Sequence, residues 1–245
     1  MLGLVMLAVV GLGQAGAIIN GQPDGNRHPY VGLVTDSQYS CSGAAISPTL
    51  FVTAAHCFDV PGQEVFVTFD PDGVFSDTFG DDLVHGTWHP DPDFCMACAK
   101  GLPGFDTHDV AVVVFDRPVR LDRYAELPSR GLVDRLAKGT RVTNVGYGLQ
   151  VREKQFQGEA YTRYVAPSQL VPSKDVISDE FLKLSANPSQ GKGAICSGDS
   201  GGPNLRGDTD IILAVNSFGN GGCASVTYSY RIDTKAALGF IGRFR

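Results

Sequence analysis

The chain has 245 residues, enough for one large or two small domains with a substantial core. Its formal net charge of −6 and the lack of any Lys/Arg cluster exclude nucleic acid and anionic membrane surfaces as expected partners. Glycine is abundant, long helical periodicity is scarce and no solenoid-type repeat or low-complexity run is present, so the chain reads as all-β with one or two helices.

Residues 1–17 are apolar and end in the small residues Ala15-Gly16-Ala17, the pattern of a signal peptide. A membrane span needs roughly 18 or more apolar residues, so none is expected once this segment is cleaved. Ile18-Ile19-Asn20-Gly21 follows directly, so cleavage after Ala17 would expose an isoleucine α-amino group. Taken alone, the same four residues also read as an ordinary first strand. His28 precedes Pro29 in an extended stretch, where a structural role is expected.

Cys41–Ser47 and Phe51–Cys57 read as two strands joined at Ser47-Pro48, a hairpin that would bring Cys41 close to Cys57. His56 closes the second of these strands and by itself reads as structural. Asp70, Asp72, Asp77, Asp81 and Asp82 lack the regular oxygen spacing of a calcium loop and read as an exposed acidic loop. His85 and His89 are four apart, but Gly86 and Pro90 oppose a helix and no third ligand is evident, so no metal is expected. Trp88 reads as a packing residue.

Cys95 and Cys98 form a C-x-x-C in a loop rich in Pro, Gly and Asp; behind a secretory segment this favours a local disulfide over redox chemistry. Asp109 opens the buried strand Val110–Phe115, either as a strand-edge residue or as the partner of a histidine, and His108 beside it is expected to be solvated. Residues 122–139 read as a polar linker, and Thr140–Gly148 begins a second β-rich half. Arg152-Glu153-Lys154 reads as an exposed loop, and Asp233-Thr234 as the capped start of a helix that runs to Ile241.

In Cys196-Ser197-Gly198-Asp199-Ser200-Gly201-Gly202-Pro203, one serine stands between glycines on what must be a sharp turn. Ser200 is a candidate nucleophile, with the N–H groups of Gly198 and Ser200 as a candidate oxyanion hole. The alternative is a Gly-rich turn with an incidental serine.

Together, Ile18–Gly21, Thr53-Ala54-Ala55-His56-Cys57, Asp109-Val110-Ala111-Val112, Gly146-Tyr147-Gly148, Gly198–Pro203 and Ser217-Phe218-Gly219 resemble the chymotrypsin/trypsin-like serine protease family. The resemblance spans nearly all of the chain after Ala17. It implies two antiparallel six-stranded β-barrels with a C-terminal helix, divided as 18–123 and 124–245. It makes His56 the general base, Asp109 its orienting carboxylate and Ser200 the nucleophile, with Gly198 and Ser200 binding the oxyanion. It pairs a freed Ile18 amine with Asp199, and it matches Cys41–Cys57 and Cys196–Cys223 to bridges. It places Ala194, Ile195, Ser217, Phe218, Gly219, Thr227 and Tyr228 around the S1 pocket. Ala194 falls where trypsin itself has an acid, so an apolar P1 residue is expected rather than Arg or Lys. The implied protein is a secreted, monomeric endopeptidase acting on proteins or peptides, without cofactor or metal; a catalytically silent binding protein on the same fold is the alternative.

Overall fold

The computed structural model describes residues 18, 20–72, 83–96, 106–148, 162–171, 179–219, 223 and 225–245. The expected signal peptide, Ile19, Asp77, Asp81, Asp82, Cys98, Arg152–Lys154 and the Gly221-Gly222 pair lie outside these residues.

Apolar runs separated by turns dictate short strands, and each strand has one face to bury. Six of them, β2 (Val31–Thr35), β3 (Ser40–Ser47), β4 (Leu50–Thr53), β5 (Glu64–Thr68), β6 (Val84–Pro90) and β7 (Ala111–Phe115), close into a barrel in the order β2-β3-β4-β7-β6-β5. A second closed barrel follows, from β8 (Arg141–Gly146), β9 (Tyr164–Leu170), β10 (Phe181–Ala186), β11 (Pro203–Arg206), β12 (Ile212–Gly219) and β13 (Ser225–Arg231), closed by β8 pairing with β9. All pairings in both barrels are antiparallel, and closure leaves no long open edge. In β5 the pattern alternates, with Val65 and Val67 wholly buried.

The two chain ends cross over. A two-residue strand β1 (Gln22–Pro23), from just before the first barrel, pairs with β9 of the second. The helix α1 (Lys235–Ile241) follows the second barrel, yet its Phe240 and Ile241 belong to the core that the first barrel shares, and Phe244 stacks on His89 of β6. At seven residues α1 is too short to be stable alone. Packing and the Thr234 side chain, which accepts the Ala237 N–H at 3.1 Å, hold it. Asp233 does not cap it. That carboxylate is buried and receives Arg231 and the Val133 N–H instead.

The stretch 122–139 is not a free tether. Ala125 N–H donates to Ala45 O of β3, and Gly131 N–H to Asp233 O beyond the second barrel, so the segment is laced to both halves. The bridges Cys41–Cys57 and Cys196–Cys223 are formed. Cys95 is disulfide-bonded as well, and Cys98, its expected partner, is outside the described residues.

Between the barrels lies an ion pair that the sequence did not advertise. Arg163, immediately before β9, is wholly buried, and its Nε donates to Asp24 Oδ2 at 3.0 Å. Its Nη1 donates to Val31 O at 2.8 Å and Phe69 O at 3.1 Å in the first barrel, and Nη2 to Gly25 O at 2.6 Å. His28 takes the structural role expected of it, with Nδ1 2.6 Å from Asp24 Oδ1. A buried charge is tolerated only when paired and hydrogen-bonded. Arg163→Met strands Asp24 in the seam and is expected to destabilise the fold by about 3–5 kcal/mol, read as a lower chemical-denaturation midpoint.

Candidate active site

The site begins with register. β4 pairs with β7 so that Thr53 faces Ala111, which sets the residues just after β4 beside those just before β7. After β4 the chain turns through a single 3-10 turn, Ala55–Cys57, anchored by the Cys41–Cys57 bridge. His56 and Asp109, 53 positions apart, thereby meet. His56 Nδ1 lies 2.8 Å from Asp109 Oδ2, and the His56 backbone N–H donates to Oδ1 at 3.0 Å. Ser217 Oγ, from β12 of the other barrel, also donates to Oδ2.

Asp109 is wholly buried. Burial pulls its carboxyl upward, but the His56 charge and hydrogen bond, with Ser217 and the His56 N–H behind them, hold it below the usual carboxylate range. Burial pulls the His56 imidazole down, and the Asp109 charge and hydrogen bond more than reverse this, leaving it above 6.5.

The turn that carries Ser200 leads into β11 and is pinned from several sides. Gly201 has φ +74°, and a Cβ there would sit 2.1 Å from Thr53 Oγ1 at the end of β4, so only glycine allows the turn to approach the residues before His56. Gly198 has φ +93°, also open only to glycine at low cost. The Ser42 N–H of β3 donates to Ser200 O at 2.8 Å. Asn216 Nδ2 donates to Asp199 O at 2.9 Å, and Asn204 Nδ2 bonds both Asn216 and Asn144, a buried amide chain across β8, β11 and β12. Among the described residues, the N–H groups of Gly198 and Ser200 donate to no protein acceptor. The Ser42 N–H bond to Ser200 O and the close approach of Gly201 to Thr53 and Ala54 bring the Ser200 turn beside the segment that leads into His56.

One residue of this arrangement escaped the sequence reading. Ser42, wholly buried in β3, donates its hydroxyl to Gly198 O at 2.8 Å and accepts the Tyr147 N–H at 2.9 Å. It holds the carbonyl of the residue whose own N–H, in the preceding peptide, is a candidate oxyanion donor. Its position next to Cys41 was the available signal, but a serine inside an apolar strand is not distinctive without its partners.

Asp199 is wholly buried and accepts N–H groups from Gly148 and Cys196, each at 2.9 Å. Burial dominates over these bonds and pushes its carboxyl up to about 7. Ile18 lies buried against Tyr164 and Ala166 and is still joined to Ala17, so it carries a peptide N–H rather than an ammonium.

Of the residues assigned to the S1 pocket, Ala194, Ile195 and Thr227 are buried, and Gly219 pairs with Thr227 across β12 and β13. Phe218 stacks on Tyr228 at 5.1 Å and meets Phe181 edge-on at 5.2 Å. The Ser217 hydroxyl is turned to Asp109, so that side chain serves the carboxylate and not the pocket. The Cys196–Cys223 bridge ties the nucleophile turn to the segment after β12. His85 and His89 sit on β6, where four residues span about 13 Å, too far to share an ion. His85 pairs with Glu64 instead.

Residues 18–241 match the Trypsin family. The chain belongs to the trypsin family of serine proteases. Granzyme M of Rattus norvegicus is 28% identical over 235 residues, which covers 87% of this chain and 86% of that protein. Brachyurin of Leptuca pugilator is 30% identical over 194 residues, covering 76% and 79%. Among solved structures, HL collagenase superposes with a TM-score of 0.68 at 19% identity, covering 92% of this chain and 97% of the other. Human heparin binding protein gives 0.67 at 18%, covering 92% and 96%. At such identities these two structures speak for the fold alone.

Ser42→Ala removes the bond to Gly198 O, and a lost neutral hydrogen bond is worth about 1 kcal/mol. Peptide hydrolysis by the variant is expected to show kcat roughly 5-fold lower with KM nearly unchanged, measured by steady-state kinetics.

Proposed function

We propose that this trypsin-family chain is a secreted serine endopeptidase that cleaves peptide bonds through His56, Asp109 and Ser200. The observation that carries this reading is the buried Asp109 carboxylate, bonded to His56 Nδ1 at 2.8 Å, beside a turn whose Gly198 and Ser200 N–H groups are unspent. With Nδ1–H held by Asp109, the His56 tautomer leaves Nε2 as the base. Nε2 takes the Ser200 proton as Oγ attacks the scissile carbonyl, and the Gly198 and Ser200 N–H groups receive the oxyanion. The imidazolium then protonates the leaving amine, and water, deprotonated by the same nitrogen, releases the acyl group. Asp109, whose carboxyl stays ionised, stabilises the imidazolium between these steps. Proteins or peptides are the substrates. Buried Ala194 and Ile195, with no acid among the pocket residues named above, support an apolar P1 side chain. Among the described residues no helix is long and apolar enough to cross a membrane.

The second reading is a catalytically silent binding protein on the same fold, for which a heparin-like polyanion would be one class of ligand. A polyanion is a poor fit to a net charge of −6. A peptide library varied at P1 separates the readings. Cleavage by the wild type at apolar P1 residues, abolished in Ser200→Ala, is expected. No cleavage by a chain that begins at Ile18 moves the assignment to the silent protein.

Asp199 gives the second test. Its folded-state pKa of about 7 lies above the ordinary 3.8, so the neutral carboxyl favours the fold. That contribution is complete below about pH 4 and is lost as pH rises through 7. The loss amounts to roughly 4 kcal/mol at about 1.4 kcal/mol per pKa unit. Freeing the Ile18 amine supplies a cation for the carboxylate and removes the loss. Denaturation midpoints at pH 4.5 and 7.5 are expected to fall with pH for the chain extended upstream of Ile18, and not for the chain that begins there.

A further inference from the structure

His108 departs from expectation. It was read as solvated, yet only 24% of its side chain is exposed, and Nδ1 is buried with no hydrogen-bond partner among the described residues. Its backbone is held at φ +50°. The nearest anion to Nδ1 is Asp91 Oδ2 at 3.8 Å, beyond hydrogen-bonding range. Asp93 stands on the same side, and one ligand atom from each of Asp91, Asp93 and His108 lies within 4.8 Å of the others. The other ring nitrogen, Nε2, faces Asp106 Oδ2 at 3.5 Å.

Further polar groups converge on the same place. Tyr230 is wholly buried, and after burial itself the charge of Asp106 and its interaction with the phenol hydroxyl, then the charges of Glu180 and Asp91, drive the phenol upward. Asp91 is 4% exposed, and its Oδ1 accepts the Asp93 N–H at 3.0 Å. The ligand positions are set by backbone. Asp91 N–H donates to Val110 O, Asp93 N–H to Asp91 Oδ1, Cys95 N–H to Thr107 O and His108 N–H to Asp106 Oδ1.

We infer that Asp91, Asp93 and His108 form a binding site for a divalent transition-metal ion, with zinc the best fit. Two carboxylate oxygens and an imidazole nitrogen make a ligand set that zinc accepts, with a fourth position left for water. A ligating histidine usually gives its other N–H to a carboxylate, and Asp106 stands there for His108. Calcium needs six to eight oxygens, which this mixed trio does not supply. The ion would balance the buried Asp91 carboxylate and the acids beside it, and would clamp the 91–95 turn to the segment joined by peptide bond to Asp109. A second trio, Glu64, His85 and Asp116, is exposed, with His85 already bonded to Glu64. It is the competing surface site.

Calorimetric titration of zinc into the chelator-stripped full chain tests this, whether or not the chain proves to be a peptidase. Ser200→Ala is the background, so that self-digestion cannot intervene. One equivalent of zinc is expected to bind, with affinity at least tenfold weaker in His108→Gln and in Asp93→Asn and unchanged in His85→Gln. Cobalt substituted for zinc should give the intense visible bands of a four-coordinate site. Circular dichroism of the metal-free variants checks folding, and Asp93→Asn carries the test if His108→Gln does not fold. Absence of stoichiometric binding, loss confined to His85→Gln, or calcium binding as tightly as zinc would each overturn the assignment.

Discussion

A single buried carboxylate joins the two halves of this protein. Asp109 sits at 0% exposure, where an ion survives only if donors replace its lost water. Two of those donors come from the first barrel, as the ring and backbone of His56, and one from the second, as the Ser217 hydroxyl. Neither barrel can solvate Asp109 alone. The same bonds that stabilise the charge also orient the imidazole, so docking of the barrels and orientation of His56 are one event.

The seam repeats this logic. Ser42 of β3 reaches into the turn that carries Ser200, and Arg163 before β9 is solvated by carbonyls of the first barrel and by Asp24. The chain ends cross in opposite senses, with β1 on the second barrel and α1 against the first. Two closed barrels have no sheet edges with which to recognise each other, so association relies on side-chain polar groups and on these exchanged segments. Asp199 differs from its neighbours in the seam. Among the described residues it has two N–H donors and no cation, and its raised pKa expresses an incomplete charge balance that a nearby ammonium would correct.

The legible parts of the sequence were those in which local chemistry and local geometry coincide. The glycines around Ser200 required a sharp turn, and φ values of +93° and +74° at Gly198 and Gly201 are what such a turn demands. Short apolar runs gave the strands, and Cys41 and Cys57 fell at the two ends of one hairpin. The less legible residues act through distant partners. Nothing in the local sequence marked Arg163 as a buried cation. Ser42 looked like strand filler. The stretch 122–139 looked like a tether because its polar composition hides backbone hydrogen bonds to both barrels. His108 looked solvated because nothing nearby in sequence foretells Asp91 and Asp93 across the loop.

The sequence by itself determined the strand-rich class, the disulfide hairpin, the cap of the last helix and the identity of the groups able to do acyl-transfer chemistry. These follow from side-chain type and near-neighbour spacing. Tertiary structure alone decided which groups meet: His56 with Asp109 across 53 residues, Ser217 with Asp109 across 108, and Ser42 with Gly198 across 156. Such pairings depend on strand register and on docking of two closed barrels, and both are set by the summed burial of many apolar residues rather than by any one position.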